Sequence, residues 1–298
     1  MTAAAGWSIA TFREYAVLSE SLIKKCCLIA SPAAGNPTQY LVEQAFEKAG
    51  LDWRFMTFDV EPERLGDAML GIRALGFHGV KVGDPFQATV LEHVDDLTDA
   101  ARRCGSINCI TSNDGRLVGD NTEGAAVVRL IRQHADPAGS KAVIVGTGRL
   151  ARAIGMELAA AGAAAITLLG RNATAGQLLA DSIQRQTGVT MNVIPLAGNT
   201  AVDPDAAVLV NATSLGSTKP DAKLDVDVAS FSPQLVVVET AYNTWRTWLS
   251  TQATQKGCRT IDGLSIYVEQ TALALQSWTG KLSDTATMRE AAEEFLEV

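Results

Sequence analysis

Apolar runs alternate with amphipathic stretches along most of the chain, the pattern of α/β architecture. In the first third, CCLIA (26–30), WRFMTFDV (53–60) and GVKVG (79–83) predict strands, the last running into a helix after Gly83 and Pro85. Between them, PTQYLVEQAFEKAG and PERLGDAMLGIRALG carry helical periodicity. SINCITSNDGRLVG (106–119) predicts a hairpin, because Asn113-Asp114-Gly115 supplies a tight turn between two short strands. The middle third changes character. KAVIVG (141–146), AITLLG (165–170), MNVIPL (191–196), AVLVNA (207–212) and LVVVET (235–240) are continuous apolar runs. Such runs predict parallel strands covered on both faces. Segment 122–134 predicts a linking helix, and 264–279 and 284–297 predict two more that return to the first region. The spacing of Trp7, Phe12, Tyr15 and Leu18 predicts a helix packed on the body or on a partner subunit.

Composition narrows the class. At 298 residues the chain has room for two domains, and 47% hydrophobic with 19% charged residues is a globular balance. A formal charge of −8 argues against a nucleic-acid or anionic-membrane surface. No apolar run reaches the roughly 18 residues of a membrane span. The N-terminus lacks a basic start followed by an apolar core, so a cytoplasmic protein is expected. Five cysteines with no C-x-x-C suit a reducing compartment, with Cys26 and Cys27 as small buried apolar groups. His78, His93 and His134 show no metal-ligand spacing, and no metal is expected.

KAVIVGTGRLARAIGMELAAAGAAAITLLGRN carries the cofactor signal. Gly146 makes the tight turn after a strand, Gly148 lets backbone approach a pyrophosphate, and Ala151 permits close helix–strand packing. A packing glycine pair is the alternative, but the complete strand–helix–strand setting favours a dinucleotide. After the next strand comes Gly170-Arg171-Asn172-Ala173-Thr174, with no acid for a ribose 2′-hydroxyl. Arg171 suits a 2′-phosphate, so NADP is expected over NAD; the alternative is an ordinary surface arginine. The cofactor candidates are Gly146, Thr147, Gly148, Arg149, Leu150, Arg171, Asn172, Thr213 and Ser214.

With these pieces in place, the chain resembles the shikimate/quinate dehydrogenase family over nearly its full length. GVKVGDPFQ resembles the family's Asn-Val-Thr-x-Pro-x-Lys, CGSINCI its Gly-Ala-Val-Asn-Thr, and VGDNTEG its Gly-x-Asn-Thr-Asp-Gly. VNATSLG resembles Asn-Ala-Thr-Ser-x-Gly, and AYNTWRT resembles Tyr-Asn-Pro-x-x-Thr. DGLSIYVEQTALALQSWTG resembles Gly-Leu-x-Met-Leu-x-x-Gln ending in Trp-Thr-Gly. The resemblance implies a substrate-binding domain (1–121) completed by C-terminal helices (262–298), around a Rossmann-type doubly wound NADP-binding domain (122–261). It also implies hydride transfer between NADPH and a ring ketone such as dehydroshikimate, in a monomer or homodimer. In the family a Lys–Asp pair handles the alcohol proton, two serine hydroxyls hold the carboxylate, and Asn and Gln bind ring hydroxyls. Asn108, Gln270 and Tyr242 match the site's asparagine, glutamine and a tyrosine.

Departures from the resemblance cluster at the chemistry. Gln87 stands at the lysine position and Glu123 at the aspartate position. In ASPAAGNPTQY, which resembles Gly-x-Pro-x-x-x-Ser-x-Ser-Pro, Asn36 and Thr38 stand at the two serines. Gly83 stands at a substrate-contacting threonine, and Lys81 at an asparagine. Elements match while six pocket positions differ, which reads as a re-tooled pocket. Three readings stay open. Gln87 hydrogen-bonds a substrate hydroxyl while water supplies the proton, at a rate cost on the order of 10²–10⁴. Alternatively Lys81, on the same strand face as residue 83, pairs with Glu123 as a proton relay or clamps a substrate carboxylate, unless it snorkels to solvent. In the third, the protein binds nucleotide or a shikimate-like acid without turnover. Glu123 also suits the dipole of a helix first turn, with Asn121 or Thr122 as cap, and Asn36-Pro37-Thr38 suits a helix start.

Overall fold

β1 (Lys24–Ala30) sorts its side chains by the two-residue strand period. Cys26, Leu28 and Ala30 enter one core with Leu41, Val42 and Phe46 of helix α1 (Thr38–Lys48). Cys27 and Ile29 enter another with Leu65, Met69 and Ile72 of α2 (Leu65–Ala74). The apolar part of β1, residues 26–30, is therefore covered on both faces. In this computed structural model the chain is described over residues 23–244 and 246–298. The helix expected around Trp7, Phe12, Tyr15 and Leu18 lies outside the described residues.

The first sheet contains β1, β2 (Trp53–Asp59), β3 (Gly79–Val82), β4 (Asp96–Leu97), β5 (Cys109–Asn113) and β6 (Arg116–Asp120), in the order β2-β1-β3-β5-β6-β4. The expected hairpin is β5-β6, turned by Asp114 (φ 50°) and Gly115 (φ 81°), both in the left-handed region that a tight hairpin turn needs. α3 (Asp99–Cys104) joins β4 to β5 and α4 (Glu123–Ile131) follows β6.

The second sheet is wholly parallel: β7 (Lys141–Val145), β8 (Ala165–Gly170), β9 (Thr190–Pro195), β11 (Ala206–Asn211), β13 (Val236–Glu239) and β14 (Arg259–Ile261), in the order β14-β13-β11-β7-β8-β9. A two-stranded ribbon, β10 (Thr200–Ala201) with β12 (Val226–Asp227), stands apart. α5 (Arg149–Ala160) and α6 (Ala173–Thr187) share one core with α4, and α7 (Trp248–Gln255) covers the opposite face. One expected strand differs in its setting. β9 is the sheet edge and is not covered on both faces; only Met191 and Val193 reach the core, while Ile194 is exposed.

The last helices, α8 (Gly263–Thr279) and α9 (Thr285–Leu296), return to the first sheet. Tyr267, Leu275, Trp278 and Met288 share a core with Cys26 and Leu28. Trp278 lies over Gly79, where a Cβ would fall 2.3 Å from its ring, and its indole N–H donates to the Ile110 carbonyl at 3.0 Å. Asp262 caps α8 by accepting from the Ser265 N–H at 2.8 Å. Gly263 is required there, because a Cβ would fall 2.2 Å from the Ala241 carbonyl oxygen.

The segment after β3 corrects the expected helix. Residues 85–88 form turns and Thr89–His93 a short 3₁₀ helix. The Gln87 carbonyl accepts from the Ile107 N–H at 2.7 Å, which withdraws it from any helical ladder and ties the turn to the next segment. All five cysteines are free and buried, and burial pushes the Cys26 and Cys109 thiols up to about 12. They are inert at neutral pH.

Candidate active site

β7 is the point from which the second sheet winds in both directions, with β8 on one side and β11 on the other. A crevice opens at the carboxyl ends of strands at such a switch point. Here a cavity of about 600 Å³ is lined by Gly146, Thr147, Gly148, Gly170, Arg171, Asn172, Thr213 and Ser214. Gly146 has φ 117°, and a Cβ would fall 2.9 Å from the Ala212 carbonyl oxygen. Gly148 precedes α5 with no capping side chain and with open space where a Cβ would stand. The first N–H groups of α5 are left for a ligand, while Ala151 is fully buried behind them. Gly170 is required by Thr147, whose methyl would lie 2.6 Å from a Cβ. Arg171 is exposed and makes no ion pair among the described residues, and Asn172 caps α6 by accepting from Ala175 N–H at 3.0 Å. These residues fit a dinucleotide: backbone donors for pyrophosphate, and a guanidinium with no acid beside it for a 2′-phosphate.

Behind Thr213 lies a buried network that the sequence reading missed. Asn211 donates to both Glu239 oxygens at 3.0 and 3.2 Å and accepts from the Thr213 N–H at 3.1 Å. Thr247 donates to Glu239 at 2.9 Å. Burial raises the Glu239 carboxyl above its ordinary range, against hydrogen bonds that lower it.

A second cavity, of about 450 Å³, lies between the two sheets. Gly148, Arg149, Leu150, Thr213 and Ser214 line one wall, and Asn36, Thr38, Lys81, Gly83, Gln87, Asn108, Glu123, Tyr242 and Gln270 line the rest. Leu150 thus lines this cavity and not the dinucleotide crevice.

The register of β3 explains Lys81. Val80 and Val82 enter the α2 core, so Lys81 faces the other side, paired with Leu28 and Cys109 across its neighbouring strands. It does not snorkel: the residue is 5% exposed, and Nζ has no hydrogen-bond partner among the described residues. Burial pulls its ammonium below the ordinary lysine range, and the charge of Glu123 acts in the opposite direction. Glu123 begins α4, its N–H held by the Asn121 side chain at 3.1 Å. Its Oε1 accepts from Gln87 at 3.2 Å, while Oε2 is buried without a partner. The charge of Glu123 acts on Lys81, yet the two form no ion pair among the described residues.

Gln87 joins the two walls. Its amide nitrogen donates to Glu123, and its oxygen accepts from Arg149 Nε at 2.9 Å. Arg149 also pairs with Asp84 at 2.5 Å. Arg149, expected to hold cofactor, also reaches the substrate wall. Gln87 cannot titrate; the titratable side chains lining this cavity include Lys81, Glu123, Asp84, Tyr242 and Tyr267.

Asn36, Thr38 and Tyr267 form a closed triad. Asn36 Oδ1 accepts from the Thr38 hydroxyl at 2.6 Å, the Thr38 N–H at 3.0 Å and the Tyr267 hydroxyl at 2.8 Å. The two hydroxyl oxygens stand 2.5 Å apart. Tyr267 escaped the sequence reading, although its place three residues before Gln270 on one helix put it on the same face. Tyr242 stacks on it with ring centroids 4.4 Å apart, and burial raises the Tyr242 hydroxyl above its ordinary range. Asn108 is 1% exposed and fully engaged: Oδ1 accepts from Thr122 N–H at 2.9 Å, and Nδ2 donates to Thr122 and Gln270, each at 3.0 Å. It positions Gln270 and the start of α4. Gly83 is closed to larger side chains, since a Cβ would fall 2.8 Å from that of Ala30.

Comparison with known proteins agrees with this geometry. Residues 28–110 match the pattern of the shikimate dehydrogenase substrate binding domain. The chain is 33% identical over 271 residues to the shikimate dehydrogenase (NADP(+)) of Desulforamulus reducens, covering 89% of this chain and 92% of that one. The ligand-free 5-ketofructose reductase of Gluconobacter sp. strain CHM43 superposes with a TM-score of 0.90 at 34% identity, over 92% of this chain and 99% of that one. The shikimate 5-dehydrogenase of Thermus thermophilus in complex with NADP(H) and shikimate gives 0.81 at 27% identity, over 92% and 100%. The chain belongs to the shikimate dehydrogenase family of NADP-linked oxidoreductases.

Proposed function

We propose that this protein interconverts a ketone and a secondary alcohol on a small hydroxylated substrate, with NADP as the redox partner and Lys81 and Glu123 as the proton-handling pair. The observation that carries this reading is the pair of unpartnered polar atoms, Lys81 Nζ and Glu123 Oε2, in one cavity beside the dinucleotide crevice. Buried polar groups without partners are costly and rare unless a ligand completes them. When bound, NADPH supplies a hydride for the carbonyl carbon. Lys81, charged, donates a proton to the carbonyl oxygen in reduction; in oxidation, neutral Lys81 takes it back. Burial draws the ammonium down, which brings the neutral, proton-accepting form closer to reach. Glu123 orients the hydroxyl, and Gln87 holds Glu123 in place.

Residues 1–121 with 262–298 serve as the substrate-binding domain and 122–261 as the NADP-binding domain. Gly146, Thr147, Gly148, Arg171, Asn172, Thr213 and Ser214 hold cofactor, and Asn36, Thr38, Asn108, Tyr242 and Gln270 hold or shape the place of the substrate. Among the described residues no helix is long and apolar enough to cross a membrane. A cytoplasmic monomer or homodimer acting on small molecules, without nucleic acid, is the corresponding reading.

The test is NADPH formation with shikimate and with quinate, and NADPH consumption with dehydroshikimate and with 5-ketofructose, for wild type and Lys81→Met. Turnover lost in the variant with NADPH binding intact supports the assignment. Turnover unchanged in the variant removes Lys81 from the chemistry. NADPH binding with no turnover of any compound makes the protein a silent binding relative.

A further inference from the structure

We infer that the substrate is a neutral polyhydroxylated ketone or its alcohol, and that the cavity discriminates against carboxylates; this rests on the dehydrogenase reading above. Three features of the cavity converge on it.

The first is the orphan pair. Lys81 Nζ can only donate when charged, and an ionised Glu123 Oε2 can only accept. A hydroxyl satisfies both at once, accepting from one and donating to the other. A carboxylate would satisfy Lys81 and set a like charge against Glu123.

The second is the triad at the position of the family's serines. Thr38 and Tyr267 carry two hydroxyl protons, and every arrangement of their short contacts with Asn36 keeps both protons inside the triad. Recruiting either one to a ligand breaks an internal bond. The Asn36 and Gln270 amide oxygens are likewise engaged, while their amide nitrogens have no partner among the described residues. What the cavity offers at this end is neutral: amide N–H groups and the Tyr242 hydroxyl, which suit a hydroxyl oxygen.

The third is charge. Two cations line the cavity, Lys81 and Arg149, and each has an acid: Asp84 pairs with Arg149 at 2.5 Å, and Glu123 lies near Lys81. An anionic ligand would give up its hydration in a lining whose two cations are already offset by two acids, Asp84 and Glu123. The closer superposition on the 5-ketofructose reductase, TM-score 0.90 against 0.81 for the shikimate 5-dehydrogenase, points the same way, since the first protein is named for a neutral polyhydroxylated ketone.

Ligand binding tests this apart from catalysis. With NADP⁺ saturating, thermal shift and titration calorimetry are run with fructose, 5-ketofructose, shikimate and quinate, and NADPH-linked turnover is measured with 5-ketofructose and dehydroshikimate. The expected result is a dissociation constant at least tenfold lower for a neutral compound than for either acid, with kcat/KM ordered the same way. Tighter binding of shikimate or quinate overturns the inference, and so does binding of no neutral compound. Neutral binding without turnover upholds the substrate class while sinking the dehydrogenase reading. Asn36→Ser provides a second arm. It removes the oxygen that holds the Thr38 and Tyr267 hydroxyls and adds a hydroxyl. Shikimate binding should then improve about tenfold, one hydrogen bond to a charged group; no gain would show that the triad does not exclude the acid.

Discussion

The two cavities are built from different materials. The dinucleotide crevice is made of backbone: a left-handed Gly146, an uncapped helix start and a Gly170 beneath Thr147. The substrate cavity is made of side chains brought from β1, β3, α4, α8 and the α5 wall. A site made of backbone tolerates few residues at its turns, so its sequence pattern stays recognisable. A site made of side chains can be exchanged in place while the strands beneath it stay put. Ala30 and Gly83 illustrate this. The family pattern has glycine and threonine at these positions, and here the bulk has moved from one strand to the other within a single contact.

That contrast can be broken most forcefully at Lys81. Lys81→Met should lower kcat by a factor on the order of 10²–10⁴ with NADPH affinity unchanged. The same variant should be more stable than wild type in a pH-dependent way. A lysine whose folded pKa is depressed makes the folded state bind fewer protons than the unfolded state, so wild-type stability rises with pH up to the ordinary value of 10.5. The melting-temperature advantage of Lys81→Met should therefore be largest below the folded pKa and vanish near pH 10.5. A pH-independent difference would show that Lys81 is not held in a charge-averse setting.

Gly146→Ala tests the other side. A Cβ at φ 117° and 2.9 Å from a carbonyl oxygen should cost about 1–3 kcal/mol of strain and weaken NADPH binding at least tenfold, by calorimetry and melting temperature. Substrate-side variants should leave NADPH affinity alone, which sharpens the division. Arg171→Ala should weaken NADPH by about 1.5–3 kcal/mol, the range for a hydrogen bond to a charged group, and leave NADH unchanged. Equal loss for both cofactors would place Arg171 away from a 2′-phosphate. The smallest effect is expected at Gln87, the residue that bridges the two walls. Gln87→Leu removes its bonds to Glu123 and Arg149. Because Gln87 positions Glu123 and carries no proton itself, kcat should change by less than about tenfold, a barrier change under about 1.4 kcal/mol. A loss as large as that of Lys81→Met would restore Gln87 to the chemistry.

The long strands, the helices α1, α2, α4, α5, α8 and α9, the hairpin turn and the glycines of the nucleotide turn were legible in the chain, because local periodicity and positive-φ turns leave marks on single positions. Helices α3, α6 and α7 and the short strands β4, β10, β12 and β14 were not. The edge placement of β9 was not, since an apolar run reads alike whether or not a neighbour covers it. Nor was the 3₁₀ segment after β3, where the Gln87 carbonyl turns to Ile107 instead of to its own helix. Among pocket residues, Lys81 and Glu123 were legible as departures from a family pattern. Tyr267 and the tie from Gln87 to Arg149 were not, because both partners come from distant positions whose meeting depends on how the two sheets face each other.

The sequence by itself determined the α/β architecture, the dinucleotide turn and which side chains face the cavity along β3, because strand period and glycine conformation are properties of adjacent residues. Only the tertiary structure decided which polar atoms are left unsatisfied there. Whether Lys81 is buried or solvated, and whether the Thr38 hydroxyl is free or spent, depends on α8 laying Tyr267 against Asn36 and on α4 bringing Glu123 near β3. Desolvation and hydrogen-bond closure are set by atoms far apart in the chain, and they set the chemistry of this cavity.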